Sequence, residues 1–467
     1  MGGKNEKVVL VYNRMKKCAS LLSAILLTAF CSAKQKEQPN IVFIMADDFG
    51  VGWADLDGSR EEINTPNLER LAQSGMNFTK AYAASPVCSP TRAACITGMS
   101  PAQIGLTTHI PGRAGHQRKA PVGGPRDAVS RMELPLRLPS YARELKHIGY
   151  KTGFIGKWHL AGEGSTRSED GVINAEYHPD QFGFETNIGG CAYGQPRSWF
   201  DPYQNATISD RKEGEYLTDR LGDEAVSFIK KNAGKPFHLS LWPYQVHTPF
   251  SAPEGLVEKN NGDRYLAMIE SLDQCVGKVL DALEETGTLQ KTMVVFYSDN
   301  GGYFPSEGLS DYKGSLLEGG VRVPLIVSWP GVVKPGSVCD EPVTSVDFFP
   351  TFVHAGGGYT DTIEVLEGKD LRPLLEQKGE FKRKALFWHY PHNREGVECA
   401  MGSTVLMGKW KLYQGYSVKE DALYNLEEDP KERVNLIGKF PDVEHEIRGE
   451  LGRWLVRAGA KFPPKMK

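Results

Sequence analysis

The chain has 467 residues, enough for two or three domains or for one large α/β domain with a smaller one beside it. Hydrophobic residues make up 40% and charged residues 24%, which excludes a wholly disordered chain and a coiled coil. Lysine and arginine total 55 and aspartate and glutamate total 58, a formal net charge of −3. A dedicated nucleic-acid binder would carry a net positive surface, so this balance argues against that class of protein.

Residues 1–33 have the pattern of a secretory signal. Lysines at 16–17 precede a short apolar run at 21–30, and small residues follow that run. The run is too short to span a bilayer stably, and no later stretch approaches the ~20 apolar residues of a transmembrane helix. We therefore expect a secreted or periplasmic protein with no integral membrane span. Two alternatives stay open: Met15 as the true first residue, and a lipid anchor at Cys31.

From residue 38 onward, predicted strands alternate with predicted helices. The apolar run 40–45 is typical of a strand that is covered on both faces. A helix follows, with Thr65 as its cap, Pro66 in its first turn and Gly75 at its end. The later predicted helices cover 136–148, 217–228 and 264–285, and the later predicted strands cover 151–155, 237–242, 293–298 and 324–329. This alternation predicts an α/β domain over 38–355 with a large, mostly parallel sheet flanked by helices.

Beyond about residue 355 the pattern changes to short strands followed by one helix. The predicted strands cover 385–389, 403–407, 410–413 and 422–425, and the predicted helix covers 443–458. We therefore predict a smaller C-terminal α+β subdomain over 356–467, with an antiparallel sheet and a helix.

Acidic and amide side chains follow two of the predicted strands. Asp47 and Asp48 come after the first strand, and Asp299 and Asn300 come after the strand 293–298. In open α/β sheets ligands bind beyond the carboxyl ends of the strands, where these side chains can converge. Oxygen ligands without cysteine or histidine favour a hard cation, Ca²⁺ or Mg²⁺. An ordinary cap or turn is the alternative for each pair alone.

The segment 86–98 carries the strongest signal. Ser89 fits a helix cap and Pro90 the first helical position, which would place Cys88 just before a helix N-terminus. Backbone N–H groups favour negative charge there, and Arg92 can reach back to an anion. An inert buried thiol is the ordinary alternative for a single cysteine. The remaining cysteines are too scattered for a disulfide framework or a zinc site, although one or two disulfides stay open.

The pattern Cys-x-Pro-x-Arg-x-x-x-x-Thr-Gly at 88–98 resembles the signature of the type I sulfatases, within the alkaline phosphatase superfamily. Thr91 stands where that family usually has serine and keeps the hydroxyl. Other family motifs follow in the family's order: Gly156-Lys157-Trp158-His159-Leu160, Val246-His247-Thr248-Pro249-Phe250, Tyr312-Lys313-Gly314 and the terminal-subdomain motif 423–430. The resemblance extends over about residues 40–455.

This resemblance implies an alkaline phosphatase-like fold and hydrolysis of a sulfate ester. It implies that a maturase converts Cys88 to Cα-formylglycine (3-oxoalanine), an aldehyde whose hydrate is the nucleophile. The pairs Asp47–Asp48 and Asp299–Asn300 match the family's calcium ligands, and the resemblance implies the residue at position 88 as a fifth ligand. Ca²⁺ is thus expected in preference to Mg²⁺.

The resemblance also implies roles for the basic residues. Arg92, Lys157 and Lys313 would place positive charge at the non-bridging sulfate oxygens. His247 would protonate the leaving alcohol, and it would contact the sulfate group together with the two lysines. His159 would then take a proton from the second hydroxyl of the formylglycine, which expels sulfate and restores the aldehyde.

Contacts to the rest of the substrate are less defined. His392, in the subdomain that overhangs the pocket in this family, and His109 and Arg113, in the long basic segment 109–133, are candidate substrate contacts. Packing, turn chemistry or a solvated charged loop are the alternatives. The arginine-rich segment favours a sulfated glycan as the substrate. Two other functions stay open, a phosphate or phosphonate ester hydrolase of the same superfamily and an inactive sulfoglycan-binding protein.

Overall fold

The computed structural model describes residues 38–56, 60, 62–110, 126–162, 174–306, 308–417 and 420–464. The predicted signal at 1–33 and the segment 111–125, with Arg113, lie outside these residues. The strands of the described part are β1 (Asn40–Ala46), β2 (Met76–Phe78), β3 (Ala81–Tyr82), β4 (Lys151–Gly156), β5 (Thr186–Ile188), β6 (Phe237–Trp242), β7 (Thr292–Ser298), β8 (Leu325–Ser328), β9 (Ser337–Cys339), β10 (Val343–Thr344), β11 (Leu386–Tyr390), β12 (Gly402–Met407), β13 (Trp410–Gly415) and β14 (Ala422–Asn425).

Helices of very different lengths connect these strands. They are α1 (Pro66–Ser74), α2 (Cys88–Thr97), α3 (Pro101–Ile104), α4 (Tyr141–His147), α5 (Leu217–Asn232), α6 (Glu254–Lys259), α7 (Arg264–Glu285), α8 (Glu318–Val321), α9 (Phe348–Ala355), α10 (Arg372–Leu375) and α11 (Pro441–Arg457). Within the described residues, none of them has both the length and the apolar character that crossing a membrane requires.

Strand β1 lies in the middle of an eight-stranded sheet with the order β5–β4–β6–β1–β7–β8–β2–β9. It pairs in parallel with β6 and β7, and β4 is parallel to β5 and β6. Only β8 is antiparallel to its neighbours β7 and β2. The predicted, mostly parallel sheet is confirmed, and the carboxyl ends of β1, β4, β6 and β7 share one edge of it.

The uninterrupted apolar sequence of β1 is explained by two cores, one on each face of the sheet. Phe43 and Met45 pack with residues of α2, α4 and α9 on one face. Val42 and Ile44 pack with residues of α1, α5 and α7 on the other. In a strand buried on both faces, apolar and polar residues need not alternate, so no polar side chain interrupts β1 between Ile41 and Ala46.

Strands β11 to β14 form a separate four-stranded antiparallel sheet. One face packs against α11, with Leu412 and Trp454 in the shared core. The other face packs against the residues around Val87 and Leu317, and Trp388 Nε1 donates to Ala83 O at 2.7 Å. The loops of this sheet thereby come close to the start of α2.

Two predicted helix starts differ from the structure. Helix α4 begins at Tyr141 rather than 136, because Ser140 Oγ accepts from Ala142 N (3.2 Å) and caps it. Helix α2 begins at Cys88, with Val87 as the cap residue, two residues earlier than the Ser89 cap we predicted. Ser89 Oγ instead accepts a hydrogen bond from Ile110 N (3.0 Å). The hydroxyl is thus used in a tertiary contact rather than as a cap.

Candidate active site

Four oxygen-bearing side chains meet where β1 and β7 end. Because Ala46 pairs with Ser298, Asp47 and Asp299 leave the sheet side by side. Asp48 N donates to Asp299 Oδ1 (3.1 Å), and Asn300 Nδ2 donates to Asp48 Oδ1 (2.8 Å). All four side chains are buried. The structure thus brings together the four oxygen ligands among the five residues that the sequence proposed to hold the metal; the fifth is Cys88.

These residues fit a hard cation. Asn300 Nδ2 donates to Asp48 Oδ1 and to Gly301 O, which leaves Oδ1 as its acceptor. This Oδ1 is buried and has no hydrogen-bond partner among the described residues, an unfavourable state that a cation would relieve. Single ligand atoms of Asp47, Asp48, Cys88 and His247 also lie within 4.8 Å of one another. A set of carboxylate and amide oxygens is what Ca²⁺ prefers.

Two buried lysines bind the aspartates after β1. Lys157, the first residue after β4, pairs its Nζ with Asp47, and Lys313 Nζ lies 2.6 Å from Asp48 Oδ2. Burial raises the pKa of the Asp48 carboxyl, but the charges of Lys313, His247 and Lys157 outweigh burial and hold that pKa below its ordinary value. Burial lowers the pKa of Lys313, and Asp48 more than compensates for it. Both partners are therefore charged at neutral pH.

Arg92 connects the nucleophile helix to the metal-ligand set. Its Nε and Nη2 donate to Asp299 Oδ2 at 2.9 and 2.7 Å, and its Nη1 donates to Lys157 O at 2.7 Å. The guanidinium is fully buried and lies 5.4 Å from the centroid of the Trp242 ring. Every one of these contacts is internal to the protein. Arg92 therefore orients Asp299 and Lys157.

Cys88 lies at the N-terminus of α2, beside the aspartates. Its Sγ is 3.5 Å from Asp47 Oδ1 and 3.9 Å from Asp48 Oδ1. Burial raises the pKa of the thiol to about 12 against the opposing charges of Lys157 and Lys313. Since the thiolate is the nucleophilic form of cysteine, the unmodified side chain is a poor nucleophile at neutral pH. No disulfide joins any of the six cysteines in the described part of the chain.

Two histidines complete the inner site. His159 Nε2 bonds to Ile110 O, and since a carbonyl only accepts, the proton of the neutral ring is on Nε2 and Nδ1 is an acceptor. His247 Nδ1 donates to Thr248 O (2.6 Å), which leaves its Nε2, 3.8 Å from Asp48 Oδ2, as the reactive nitrogen. Burial, with the neighbouring lysines, lowers the pKa of both rings, that of His247 to about 3.

A cavity of about 740 Å³ opens above this inner site. Cys88, His159, His247 and Lys313 line its inner part. Its outer part is lined, among the described residues, by amide, guanidinium and aromatic side chains: Gln195, Arg197, Gln204, Arg394 and Tyr303. The arrangement combines a nucleophile position, cations, a proton donor or acceptor on each of two rings, and room for a sizeable substrate.

The three residues predicted to contact the substrate differ in their position relative to the cavity. His109 lines the cavity. His392 is buried away from the lining, where its Nε2 bonds to Thr107 Oγ1 (2.8 Å) and its Nδ1 lies 3.9 Å from Asp127 Oδ2. Arg113 lies outside the described residues. Arg394, two positions after His392, lies in the same loop and lines the cavity. No motif in the sequence marks it as a site residue.

This fold and this site define a hydrolase with an alkaline phosphatase-like α/β fold. A family model described as Sulfatase matches residues 39–359, and a model described as N-sulphoglucosamine sulphohydrolase, C-terminal, matches residues 308–458. The chain belongs to the sulfatase family, and it is a sulfuric ester hydrolase, as the sequence analysis expected.

Proteins of known name and structure agree with this assignment. A protein named sulfatase from Formosa agariphila is 30% identical over 94% of this chain and 93% of its own length. The steryl-sulfatase of Mus musculus is 31% identical over 80% of this chain and 70% of its own. The crystal structure of Ps i-CgsB in complex with k-i-k-neocarrahexaose has a TM-score of 0.75 and 28% identity, covering 90% of this chain and 93% of that one.

Proposed function

We propose that this chain removes sulfate from a carbohydrate, with a formylglycine made from Cys88 as its nucleophile and Ca²⁺ as its metal. Residues 38–355 would form the catalytic domain, and residues 356–467 a subdomain that contributes to the pocket. The lining of the outer cavity is the observation that carries the carbohydrate assignment.

Polar side chains and two tyrosine rings, with two prolines beside them, line the outer part of the cavity. Gln195 and Gln204 offer amide donors and acceptors, and Tyr303, with 40% of its surface exposed, offers a ring face. Sugars present hydroxyl groups around their rim and C–H groups on their faces, which match such a lining. A steroid, the substrate class in the name of the mouse relative, would instead cover polar groups with apolar surface. The lining therefore favours a sugar.

The charges of the inner site suit a sulfate ester. Three aspartates (Asp47, Asp48 and Asp299) balance three basic side chains (Arg92, Lys157 and Lys313). A divalent cation held by the aspartates and Asn300 would make the group net positive and would supply charge at the sulfate oxygens. Lys157 and Lys313 would bind the non-bridging oxygens, and Arg92 would keep Asp299 in place.

The two histidines would move protons at defined atoms. His247 Nε2 would protonate the bridging oxygen as the S–O bond breaks, so that the alcohol leaves neutral. Because burial and the lysines lower the pKa of this ring to about 3, it would hold that proton only while an anionic sulfate ester faces it. His159 Nδ1, with Nε2–H donated to Ile110 O, would accept a proton from the nucleophile residue at position 88.

The buried thiol of Cys88 and the N-terminal sequence support the proposed maturation and location. A thiol with a pKa raised to about 12 is unsuited to attack, which supports oxidation of Cys88 by a maturase before the enzyme is active. The signal-like residues 1–33 support export to the periplasm or out of the cell. A sulfated glycan and the maturase are thus the proposed partners.

A substrate panel tests the carbohydrate assignment. We expect the purified enzyme to release sulfate from at least one sulfated mono- or oligosaccharide with a kcat/KM about 100-fold above that for a steroid sulfate. Matched aryl sulfate and aryl phosphate esters, assayed by released anion, separate sulfatase from phosphatase activity. Preference for the steroid sulfate, or no release from any sulfated sugar, would refute the proposal.

Removing Asp299 tests the metal site. We expect Asp299→Ala to lose both bound calcium and activity, because it deletes a ligand and releases Arg92. Asn300→Ala, which removes the unpartnered Oδ1 together with the Nδ2 that holds Asp48, is expected to weaken calcium binding about tenfold and keep the fold. Calcium content by elemental analysis and the calcium-induced rise in melting temperature measure both effects. Stoichiometric calcium in Asp299→Ala would show that the metal lies elsewhere.

A further inference from the structure

The outer cavity has two arginines, Arg197 and Arg394, in addition to the basic residues that binding of one sulfate group requires. The inner site already provides Lys157 and Lys313 for the scissile sulfate, and Arg92 holds Asp299 beside them. Arg394 and Arg197 line the cavity in addition to these. Both come from loops, one after β11 and one after β5, so the fold of the sheet does not require them.

Arg394 is held at the cavity by its neighbours. Its side chain crosses Gly314 so closely that a Cβ at that position would lie 2.0 Å from Arg394 Cδ and 2.4 Å from Nε. Gly314 also has a φ of +97°, which glycine adopts without strain. The glycine beside Lys313 therefore makes room for the arginine, which is only partly buried and keeps its charge near the sulfate-binding lysine.

Arg197 provides a second cation from another wall of the cavity. Its guanidinium lies 5.2 Å from the centroid of the Tyr193 ring, and both residues line the cavity. Tyr193 directly precedes Gly194, which packs on His159, so this cation also lies close to the inner site. Stacking on an aromatic ring limits the conformations of the guanidinium and keeps this positive charge at the wall of the cavity.

We propose that Arg394, assisted by Arg197, determines specificity by binding a second anionic group of the substrate, a carboxylate or another sulfate on the same glycan. This inference rests on the proposed carbohydrate sulfatase function. A planar guanidinium binds either anion through paired N–H donors, and such charge-assisted bonds are among the strongest polar contacts. The substrate would thus be a polyanionic glycan, and a singly sulfated neutral sugar would bind weakly.

The test compares sugars that differ by one charge. Calorimetry with the Cys88→Ala protein, which cannot turn them over, gives the Kd of neocarrabiose with one and with two sulfates. A second pair is a sulfated hexosamine alone and the same hexosamine linked to a uronate. We expect the more highly charged member of at least one pair to bind about tenfold more tightly, and Arg394→Met to remove that preference. The two pairs distinguish a second sulfate from a carboxylate.

Matched variants separate charge recognition from folding. Arg394→Lys is expected to restore part of the preference, and Arg433→Met, which removes an exposed arginine outside the cavity lining, to leave it unchanged. Equal affinities within both pairs, no binding of any dianionic probe, or an equal loss for both members in Arg394→Met would overturn the proposal. Turnover of an aryl sulfate by the wild-type enzyme tests the proposed function independently.

Discussion

Replacing Cys88 with alanine is expected to reduce sulfate release by about 10⁴-fold or more, because the nucleophile is lost. Calcium binding should persist, since the oxygen ligands Asp47, Asp48, Asp299 and Asn300 remain. Cys88→Ser keeps an oxygen but has a single hydroxyl, so it has no second hydroxyl from which sulfate could be expelled. We expect this variant to give at most one turnover, which a rapid-quench assay of released alcohol measures.

The same prediction has a chemical readout and a matched control. In active enzyme, the tryptic peptide 81–92 should carry an aldehyde at position 88, with the mass change of CH₂SH to CHO. Cys95→Ala removes another buried thiol of the same helix, outside the cavity lining, and should keep activity per folded molecule. Full activity with an unmodified thiol at position 88 would refute the formylglycine mechanism.

The metal-ligand set could be predicted from the sequence because it depends on strand ends. The apolar run of β1 stops at Asp47, and that of β7 stops at Asp299. Parallel pairing then brings the two ends to one edge without any knowledge of the loops. The residues that complete the inner site, Lys157 and His247, were assigned through their motifs rather than through geometry.

The start of α2 shows where local rules were insufficient. Ser89 and Pro90 satisfy the usual preferences for a cap and a first helical position. The structure uses the Ser89 hydroxyl to bind Ile110 N, a contact 21 positions away in sequence. Helix preferences describe local energetics, and a tertiary hydrogen bond of this kind is comparable in strength to a cap. The correction moves Cys88 into the helix, where it is the first residue.

The outer cavity could not be predicted because its residues belong to no local pattern. Arg394 reaches the cavity only because Gly314, 80 positions earlier in the chain, has no side chain. The residue type of His392 made it the better candidate for a substrate contact, but its ring is hydrogen-bonded to Thr107. Loop residues are positioned by such long-range contacts, and a single sequence carries no signal for them.

The second large effect is expected from Lys411, which no sequence pattern singled out. Lys411, on β13, lies with its Nζ 2.8 Å from Glu318 Oε1 and 3.0 Å from Glu432 Oε1, and all three side chains are buried. Tyr82 OH donates to Glu318 Oε2 (3.0 Å), and Glu432 Oε2 accepts from Glu318 N (2.7 Å). One buried lysine thus separates two buried carboxylates.

Lys411→Met would leave Glu432 without its cation, and Glu318 with only Arg322, whose Nη1 lies 3.6 Å from its Oε2. Breaking a buried ion pair by removing one partner typically costs about 3–5 kcal/mol, and we expect a loss of that size in the free energy of unfolding at pH 8. Burial already raises the pKa of Glu432 to about 7, and Lys411 opposes that rise. Without the lysine the pKa rises further, so the folded variant binds a proton that the unfolded chain does not hold above about pH 4.3.

The sign of the pH dependence follows from this difference. A carboxyl whose folded pKa is raised stabilises the fold while it is protonated, and that contribution is lost as the pH rises through the folded value. The loss in free energy of unfolding caused by Lys411→Met, relative to wild type, should therefore be smaller at pH 5.5 than at pH 8. Urea denaturation at both values measures it, and an equal deficit at both, or one below about 1 kcal/mol at pH 8, would contradict the prediction.

A triple variant separates loss of charge balance from loss of packing. Lys411→Met combined with Glu318→Gln and Glu432→Gln removes the charges together and is expected to recover most of the lost stability, since a neutral replacement for a buried ion cluster is often tolerated. Loss of Lys411 is expected to affect the metal site as well. Glu318 is the first residue of α8, and Gly320 O in that helix accepts a hydrogen bond from Gly301 N, which directly follows Asn300. Calcium affinity should therefore fall in Lys411→Met and return in the triple variant, which would link the C-terminal sheet to the loop that holds the metal.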